Sequence, residues 1–311
     1  MYSFWQKLTR PIMALAPMED VTDSVFRRIV ARTSRPDVFF TEFTSVDGLF
    51  SLGHDEVIHR FDYTEEERPI VAQVWGSDPE LFYKAAQLIV GLKFDGMDIN
   101  LGCPQRNVTS KGAGACLIED RPRVGEIIIA AREGLKDHIP LSIKTRLGYK
   151  KNSDDWIPFL FAQKPDAIII HGRTAAELSK VPAHWDEIGK AAAYPHGGIV
   201  LIGNGDVGSY AEALDKCSIY GVDGVMIGRG IFHDLWAFDK KGISHMDSRP
   251  ELFRIMREHM MLFEKTGRNY SILKKFFKMY IQGFPHAGEV RELLMASASR
   301  TEAENILSDF G

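Results

Sequence analysis

The sequence predicts a (β/α)8 TIM barrel followed by an appended, all-α helical bundle at its C-terminal end. Eight short apolar runs alternate with segments of helical period over about 240 residues, and most runs are continuously hydrophobic, as parallel strands covered by helices require. Beyond residue 238 the strand pattern stops and four helical segments follow. A doubly wound open sheet ranks second.

The strands are expected at Ile12–Ala16, Val38–Phe43, Ile70–Val74, Gly96–Ile99, Leu141–Thr145, Ala167–Ile170, Ile199–Gly203 and Gly224–Ile227. Between and after them lie the helical stretches Asp23–Arg32, Pro79–Val90, Pro122–Leu135, Asp154–Phe161, Trp185–Ala193, Ser209–Cys217 and Ile231–Phe238. Ser77-Asp78-Pro79 and Asp120 before Pro122 are start signals, a side-chain acceptor followed by a residue with no N–H to satisfy. The tail reads as helices at Pro250–Lys265, Ser271–Ile281, His286–Ala296 and Thr301–Ser308. Two domains are expected, a catalytic barrel over 1–240 and a helical domain over 241–311.

Composition sets limits. With 311 residues, 45% hydrophobic and 26% charged, the chain needs no disulfide or metal to stabilise its core. The three cysteines, Cys103, Cys116 and Cys217, form no C-x-x-C pair, so no metal site is expected. They suit a reducing cytoplasm. The first ten residues show no leader signal, no apolar run approaches a membrane span, and a monomer is expected. The formal charge of −4 gives no global case for a nucleic-acid partner. It divides unevenly: residues 239–311 hold 12 Lys and Arg against 10 Asp and Glu (+2), leaving 26 against 32 (−6) before them. Lys265, Arg268, Lys274, Lys275 and Lys278 share one acid-free stretch, either a solvated helix face or a grip for a polyanion.

A barrel of this kind places its chemistry at the C-terminal strand ends. Those positions read Pro17, Glu42, Gln73, Asn100, Lys144, His171, Asn204 and Gly228, six of eight polar directly after apolar runs. The last two units carry Gly203-Asn204-Gly205-Asp206 and Gly228-Arg229-Gly230, loops whose amides can approach a phosphate ester, with Arg229 adding a charged contact. Lys144 suits either a Schiff base or the electron-rich edge of a reduced flavin. Gln73, donor and acceptor at once, matches an imide edge and favours FMN. The segment from Asn100 to Lys144 spans 44 residues against an average spacing of about thirty. A mobile lid at the mouth is expected there. Cys103 stands at its root, where a mostly protonated thiol can act as a general acid, whereas Cys116 reads as a packing residue.

Seven segments now resemble one family. Ala16-Pro17-Met18, Asn100-Leu101-Gly102-Cys103-Pro104, Lys111-Gly112-Ala113-Gly114-Ala115, Lys144-Thr145-Arg146-Leu147-Gly148, His171-Gly172-Arg173-Thr174, Asn204-Gly205-Asp206 and Gly228-Arg229-Gly230 resemble, in order, the tRNA-dihydrouridine synthases. The resemblance implies an FMN enzyme that uses NADPH, or NADH, to reduce the C5=C6 bond of a uridine in tRNA. It implies Cys103 as the proton donor to C5. Pro17, Met18, Glu19, Gln73, Lys144 and His171 would contact the flavin, and Asn204, Gly205, Asp206, Gly228 and Arg229 would form its phosphate end. Asn100 and Arg173 would stand near the uracil or the flavin. The uridine must leave its stack to reach the mouth, so the tRNA backbone needs a grip, expected from Lys274, Lys275 and Lys278 with Arg106, Lys111 and Arg146 at the rim. The chain departs from the family at Asp20, where Gly is usual, at Lys180-Val181-Pro182 and at His233-Asp234-Leu235. The nearest alternative is an FMN barrel acting on a small pyrimidine, as dihydroorotate dehydrogenases do.

Overall fold

Eight parallel strands form: β1 (Ile12–Leu15), β2 (Phe39–Phe40), β3 (Ile70–Trp75), β4 (Gly96–Leu101), β5 (Leu141–Arg146), β6 (Ala167–His171), β7 (Val200–Asn204) and β8 (Gly224–Ile227). In the computed structural model, which describes residues 3–310, each strand pairs with its neighbour in sequence from β2 to β8, and β8 pairs with β1. A parallel bridge between Ala14 and Val38 closes the ring. Met1 and Tyr2, part of the stretch read as lacking a leader, and Gly311 lie outside the described residues. The barrel is therefore present with the expected strand order.

Strand two is shorter than the expected Val38–Phe43, and Thr44–Ser45 pairs separately with β3. The cause is local. The Thr41 hydroxyl accepts from the Gln73 amide at 3.0 Å, taking the place of a backbone carbonyl. The N-terminal edge has a recurring device as well. Asp37, Asp95, Asp166 and Asp223 each accept, at 2.8 to 2.9 Å, from a backbone N–H at or next to the start of the preceding strand. These carboxylates satisfy donors that the staggered ladder leaves unpaired.

Helices α1 (Ser24–Thr33), α2 (Pro79–Gly91), α3 (Arg121–Leu135), α4 (Trp156–Ala162), α5 (Trp185–Ala192) and α6 (Tyr210–Tyr220) surround the barrel. The side chains of Asp23, Asp78, Asp120 and Ser209 cap α1, α2, α3 and α6. The stretch Ile231–Phe238, expected as a helix, is a 3₁₀ turn over Arg229–Phe232 followed by turns. Asp234 accepts from the Trp236 amide, which diverts the backbone, and Leu235–Phe238 are apolar because they are buried. Between Thr44 and β3 the chain forms four short helical turns that periodicity did not reveal, each of three or four residues.

The tail consists of α7 (Arg249–Glu264), α8 (Ala287–Ala296) and α9 (Arg300–Asp309), joined through a 3₁₀ segment, Tyr270–Phe276, and a helical turn, Phe277–Tyr280. It packs on α1, where Phe26 stacks on Phe276 with centroids 5.1 Å apart. Arg32 pairs with Glu258 and Arg268 with Asp23 across the same junction. The tail shares one continuous apolar core with the outer face of the barrel.

Under the mouth, Arg27 and Glu67 are fully buried together, with Nε 2.5 Å from Oε2. The remaining guanidinium donors reach the carbonyls of Thr22 and Asp62, and Glu67 also accepts from Ser24 and the Thr64 amide. The pair ties α1 to the turns before β3. Arg27→Met should lower stability by about 3 kcal/mol, because it leaves a buried carboxylate without its cation. The check is the urea midpoint at unchanged m-value; a wild-type midpoint would contradict it.

Candidate active site

Side chains alternate along each strand, so every second residue points into the barrel. Near the N-terminal end that interior is apolar, with Trp5, Ile12, Ala14, Phe40, Val71 and Ile169 packed together. Towards the C-terminal end it becomes polar. Gln73, Asp98 and Ser142 lie in register across β3, β4 and β5, while Arg146, His171 and Asn204 lie in register across β5, β6 and β7. The polar strand ends therefore converge as expected.

They line a cleft with two lobes. One, of about 540 Å³, is bounded by Ala16–Met18, Lys144, Arg146, His171, Arg173, Asn204–Gly208 and Gly228–Gly230. The other, of about 420 Å³, is bounded by Pro17–Glu19, Phe43, Gln73, Asn100, Gly102–Gln105, Lys144, Arg146, His171, Leu178 and Arg229. Pro17, Met18, Lys144, Arg146, His171 and Arg229 border both, so the lobes are one site.

The first lobe is a glycine cradle. Gly205 has φ +129°, and a Cβ there would stand 2.7 Å from that of Ala183. At Gly230 a Cβ would stand 2.5 Å from the Val207 carbonyl, so the loops after β7 and β8 interlock only with glycine. The Trp185 indole donates to the Gly205 carbonyl at 2.8 Å and occupies the space a side chain on Gly203 would need.

Charge in the cleft is unbalanced. Lys144 donates to Asn204 Oδ1 at 3.3 Å and, among the described residues, forms no ion pair; burial, with Arg146 nearby, pushes its pKa down to about 8 against the opposing field of Asp98. Arg146 donates to the carbonyls of Gly102 and Thr174, and burial pushes it down to about 10. It is buried in the cleft wall, a correction to its expected place at the barrel rim. His171 is pushed down to about 2 by burial, with Arg146, Lys144, Arg173 and Arg229 adding, so the imidazole is neutral. Arg173 bonds to Asp206 and to the Val181 carbonyl. Asp206 sits at φ +53°; burial opposes its charge, but Arg173 and the Ala183 amide outweigh that and hold its carboxyl below the usual range. The Asp206 carboxylate is engaged with Arg173 and stands 4.0 Å from Arg229, so any phosphate contact at this position falls to the loop's backbone amides. Glu19 is taken up by Arg60 at 3.3 Å.

Cys103 lies in the second lobe, 7% exposed, packed with Phe43, Trp75, Val108 and Ala113. Burial pushes its thiol pKa up, so it is protonated at neutral pH. Asn100 Oδ1 accepts from the amides of Gly102 and Cys103, and the Cys103 carbonyl accepts from the Ala115 amide. The segment expected as a mobile lid is folded onto the barrel as a helical turn, Arg106–Thr109, and a 3₁₀ segment, Gly114–Glu119. Cys116 stands away from the cleft and donates to the Ala113 carbonyl.

Of the basic residues, Arg106, Lys111, Lys275 and Lys278 are exposed, with Lys111 over the Trp75 ring. Lys274 donates to the Met295 carbonyl and Lys275 to the Asp20 carbonyl, so these two hold the tail to itself and to the barrel mouth. Asp20 has φ +59°, which accounts for the family's glycine there; its amide donates to the buried Glu42 carboxylate. Sequence reasoning missed Asp98, Ser142 and Arg60. Asp98 had a signal, a lone acid inside an apolar strand, whereas Ser142 and Arg60 had none.

Among the described residues no group of three His, Cys, Asp or Glu side chains is placed to hold a metal, and no helix is long and apolar enough to cross a membrane. Residues 14–310 match the family model for dihydrouridine synthase (Dus). A protein of Staphylococcus epidermidis named "Probable tRNA-dihydrouridine synthase" is 42% identical over 323 residues, covering 99% of this chain and 96% of that one. "Probable tRNA-dihydrouridine synthase 2" of Bacillus subtilis is 43% identical over 319 residues, again covering 99% and 96%. Among solved structures, histamine dehydrogenase from Rhizobium sp. 4-9 superposes with a TM-score of 0.57 at 12% identity, over 80% of this chain and 48% of that one. DHODH from Eimeria tenella, in complex with ferulenol, gives 0.52 at 12% identity, over 82% of each chain. These two likenesses concern the barrel fold alone. The extent of the sequence match, with the ordered motifs brought together in one cleft, makes this chain a member of the dihydrouridine synthase family.

Proposed function

We propose that the chain is a flavin-dependent tRNA-dihydrouridine synthase, reducing the C5=C6 bond of specific uridines in tRNA with hydride drawn from NAD(P)H. The observation that carries this is the cleft itself: a cationic wall of Lys144 and Arg146, neither in an ion pair among the described residues, faces a protonated thiol, beside a glycine cradle edged by Arg229. Relatives named for that activity, matched along nearly the whole chain, support it over a small-pyrimidine enzyme.

The residues fit FMN. Gly228, where a Cβ would face Ala16 and Met18 in the cleft wall, leaves the backbone open to a phosphate beside the tightly packed turns at Gly205 and Gly230, Arg229 adds a cation, and Lys144 offers positive charge to an anionic ring edge. Bound there, FMN supplies the hydride for C6 of the uracil. Pro17 and Met18 wall the cleft, and Gln73 keeps one N–H and one lone pair for the ring edge beyond its bonds to Asp98 and Asn100. His171 stays neutral and packs against the cradle. Cys103 holds the proton for C5 on Sγ, and Asn100 fixes the backbone that carries it. The enzyme is proposed to be a monomer. The enzyme is proposed to act in the cytoplasm, as its relatives' tRNA-modifying names suggest.

The grip on tRNA then falls to Arg106 and Lys111 at the rim and to Lys278 on the tail, exposed members of the basic set, with Lys275 exposed as well but bonded to the Asp20 carbonyl. Lys111→Glu with Lys278→Glu should weaken tRNA binding and reduce its salt slope by roughly one unit per lost phosphate contact, with flavin content unchanged. Unchanged affinity and slope in the folded double variant would place the grip elsewhere.

The deciding experiment is mass spectrometry of tRNA nucleosides, mapped to position, before and after incubation with the purified yellow protein and NADPH or NADH. Dihydrouridine at defined positions supports the proposal. A protein that reduces free uracil or orotate and leaves tRNA unchanged contradicts it.

A further inference from the structure

Beneath the cleft lies a directional chain of buried hydrogen bonds. Ser142 Oγ bonds Asp98 Oδ1 at 2.6 Å, and Gln73 Nε2 donates to Asp98 Oδ2 at 2.8 Å. Asn100 Nδ2 donates to Gln73 Oε1 at 3.0 Å, and Asn100 Oδ1 accepts from the amides of Gly102 and Cys103 at 3.0 and 2.9 Å. Asp98 and Ser142 are fully buried, Asn100 is 6% exposed, and Gln73, also buried, lies in the wall of the second lobe. An amide side chain can face either way, so its orientation must be imposed by what surrounds it. Here both ends impose the same one. Asp98 offers Gln73 only an acceptor, and the loop offers Asn100 only donors.

The geometry points to Asp98 as a positioning residue that orients Gln73 towards the flavin edge and, through Asn100, holds the backbone of Cys103. This rests on the flavin-dependent reading above. Burial pushes the Asp98 carboxyl up to about 7, opposed by Ser142, Gln73 and Lys144. Protonation on the Ser142 side leaves the oxygen facing Gln73 an acceptor, so the direction of the chain survives either state.

Two near-isosteric replacements separate this role from simple packing. Asp98→Asn can still present Oδ1 to Gln73, whereas Asp98→Val fills similar volume and offers no acceptor. The first readout needs neither flavin nor tRNA: the alkylation rate of each cysteine with iodoacetamide, resolved by peptide mass spectrometry. Asp98→Val should speed Cys103 alkylation on the order of tenfold, as expected when a buried hydrogen bond is lost from a local opening equilibrium. Cys116 and Cys217 should keep their wild-type rates, and Asp98→Asn should stay within about threefold of wild type at Cys103. The second readout is reoxidation of the reduced flavoprotein by tRNA, expected to fall about 10²-fold in Asp98→Val, the usual effect of misplacing a reacting group by about an ångström.

Equal behaviour of the valine and asparagine variants at Cys103 would overturn the assignment, as would equal acceleration at all three cysteines, which marks general loosening. If Asp98→Val does not fold, Ser142→Ala takes its place, since it frees the Asp98 carboxyl to turn from Gln73. A wild-type Cys103 rate in that variant would also overturn the assignment. A wild-type protein that tRNA fails to reoxidise sinks the functional reading instead, and leaves the alkylation test standing.

Discussion

Cys103→Ala should remain yellow, accept hydride from NAD(P)H at close to the wild-type rate, and reduce uridine in tRNA about 10²–10⁴-fold more slowly, the usual contribution of a positioned acid. The thiol is buried in the lobe opposite the glycine cradle and makes no contact with it, so its loss leaves cofactor binding intact. Burial keeps its pKa above the ordinary thiol value, so the proton is in place throughout the neutral range. The reoxidation step should therefore be flat around neutral pH, with the thiol losing its proton only at alkaline pH. Anaerobic stopped-flow reoxidation by tRNA isolates this step. Cys116→Ala, altering a thiol that bonds its own turn away from the cleft, is the control and should cost stability at most. Reoxidation of Cys103→Ala at the wild-type rate would falsify the assignment.

The barrel was legible because its strands are apolar on both faces and break abruptly into polar residues, and a parallel barrel turns those breaks into a ring. Gln73, Asn100, Lys144, His171 and Asn204 follow from that rule alone. What escaped depends on three-dimensional neighbours. Arg146 lies two residues beyond Lys144 on the same inward face, so strand alternation places it in the cleft wall, whereas reading it merely as a basic residue put it on the rim. Asp206 reads simply as part of a phosphate loop, and only the fold shows that its carboxylate is taken up by Arg173 and the Ala183 amide. Lys274 and Lys275 look like a polyanion grip until their carbonyl acceptors at Met295 and Asp20 are known. The turns over 46–67 have no periodicity to detect, because each is too short to show a face. Their order comes from Arg27 and Glu67, which meet across 40 residues of sequence.

Lys144→Met should slow reduction of the flavin by NAD(P)H by about 10²–10³-fold, the cost seen when one preorganised group facing developing negative charge is removed. Methionine keeps the length and apolar stem, so the cleft should hold its shape. The pH dependence identifies the charge as the cause. In the folded protein without ligand the ammonium titrates at about 8, below its ordinary 10.5, because burial and Arg146 disfavour the charged form. Between those values the unfolded chain binds the proton more tightly than the folded one, so Lys144 makes apoprotein stability rise with pH across that window. An anion bound beside the ammonium favours the charged form, so flavin affinity should be greatest below about 8 and fall as pH rises through it. The two trends run in opposite directions, and both should disappear in Lys144→Met. His171, neutral at every pH above its depressed pKa, should add no step between pH 6 and 7 to either curve. Fluorescence titration of apoprotein with FMN, set beside urea unfolding over the same pH series, measures both. A flavin affinity in Lys144→Met that still falls through about pH 8 would transfer the titration to another group and remove Lys144 from the flavin edge.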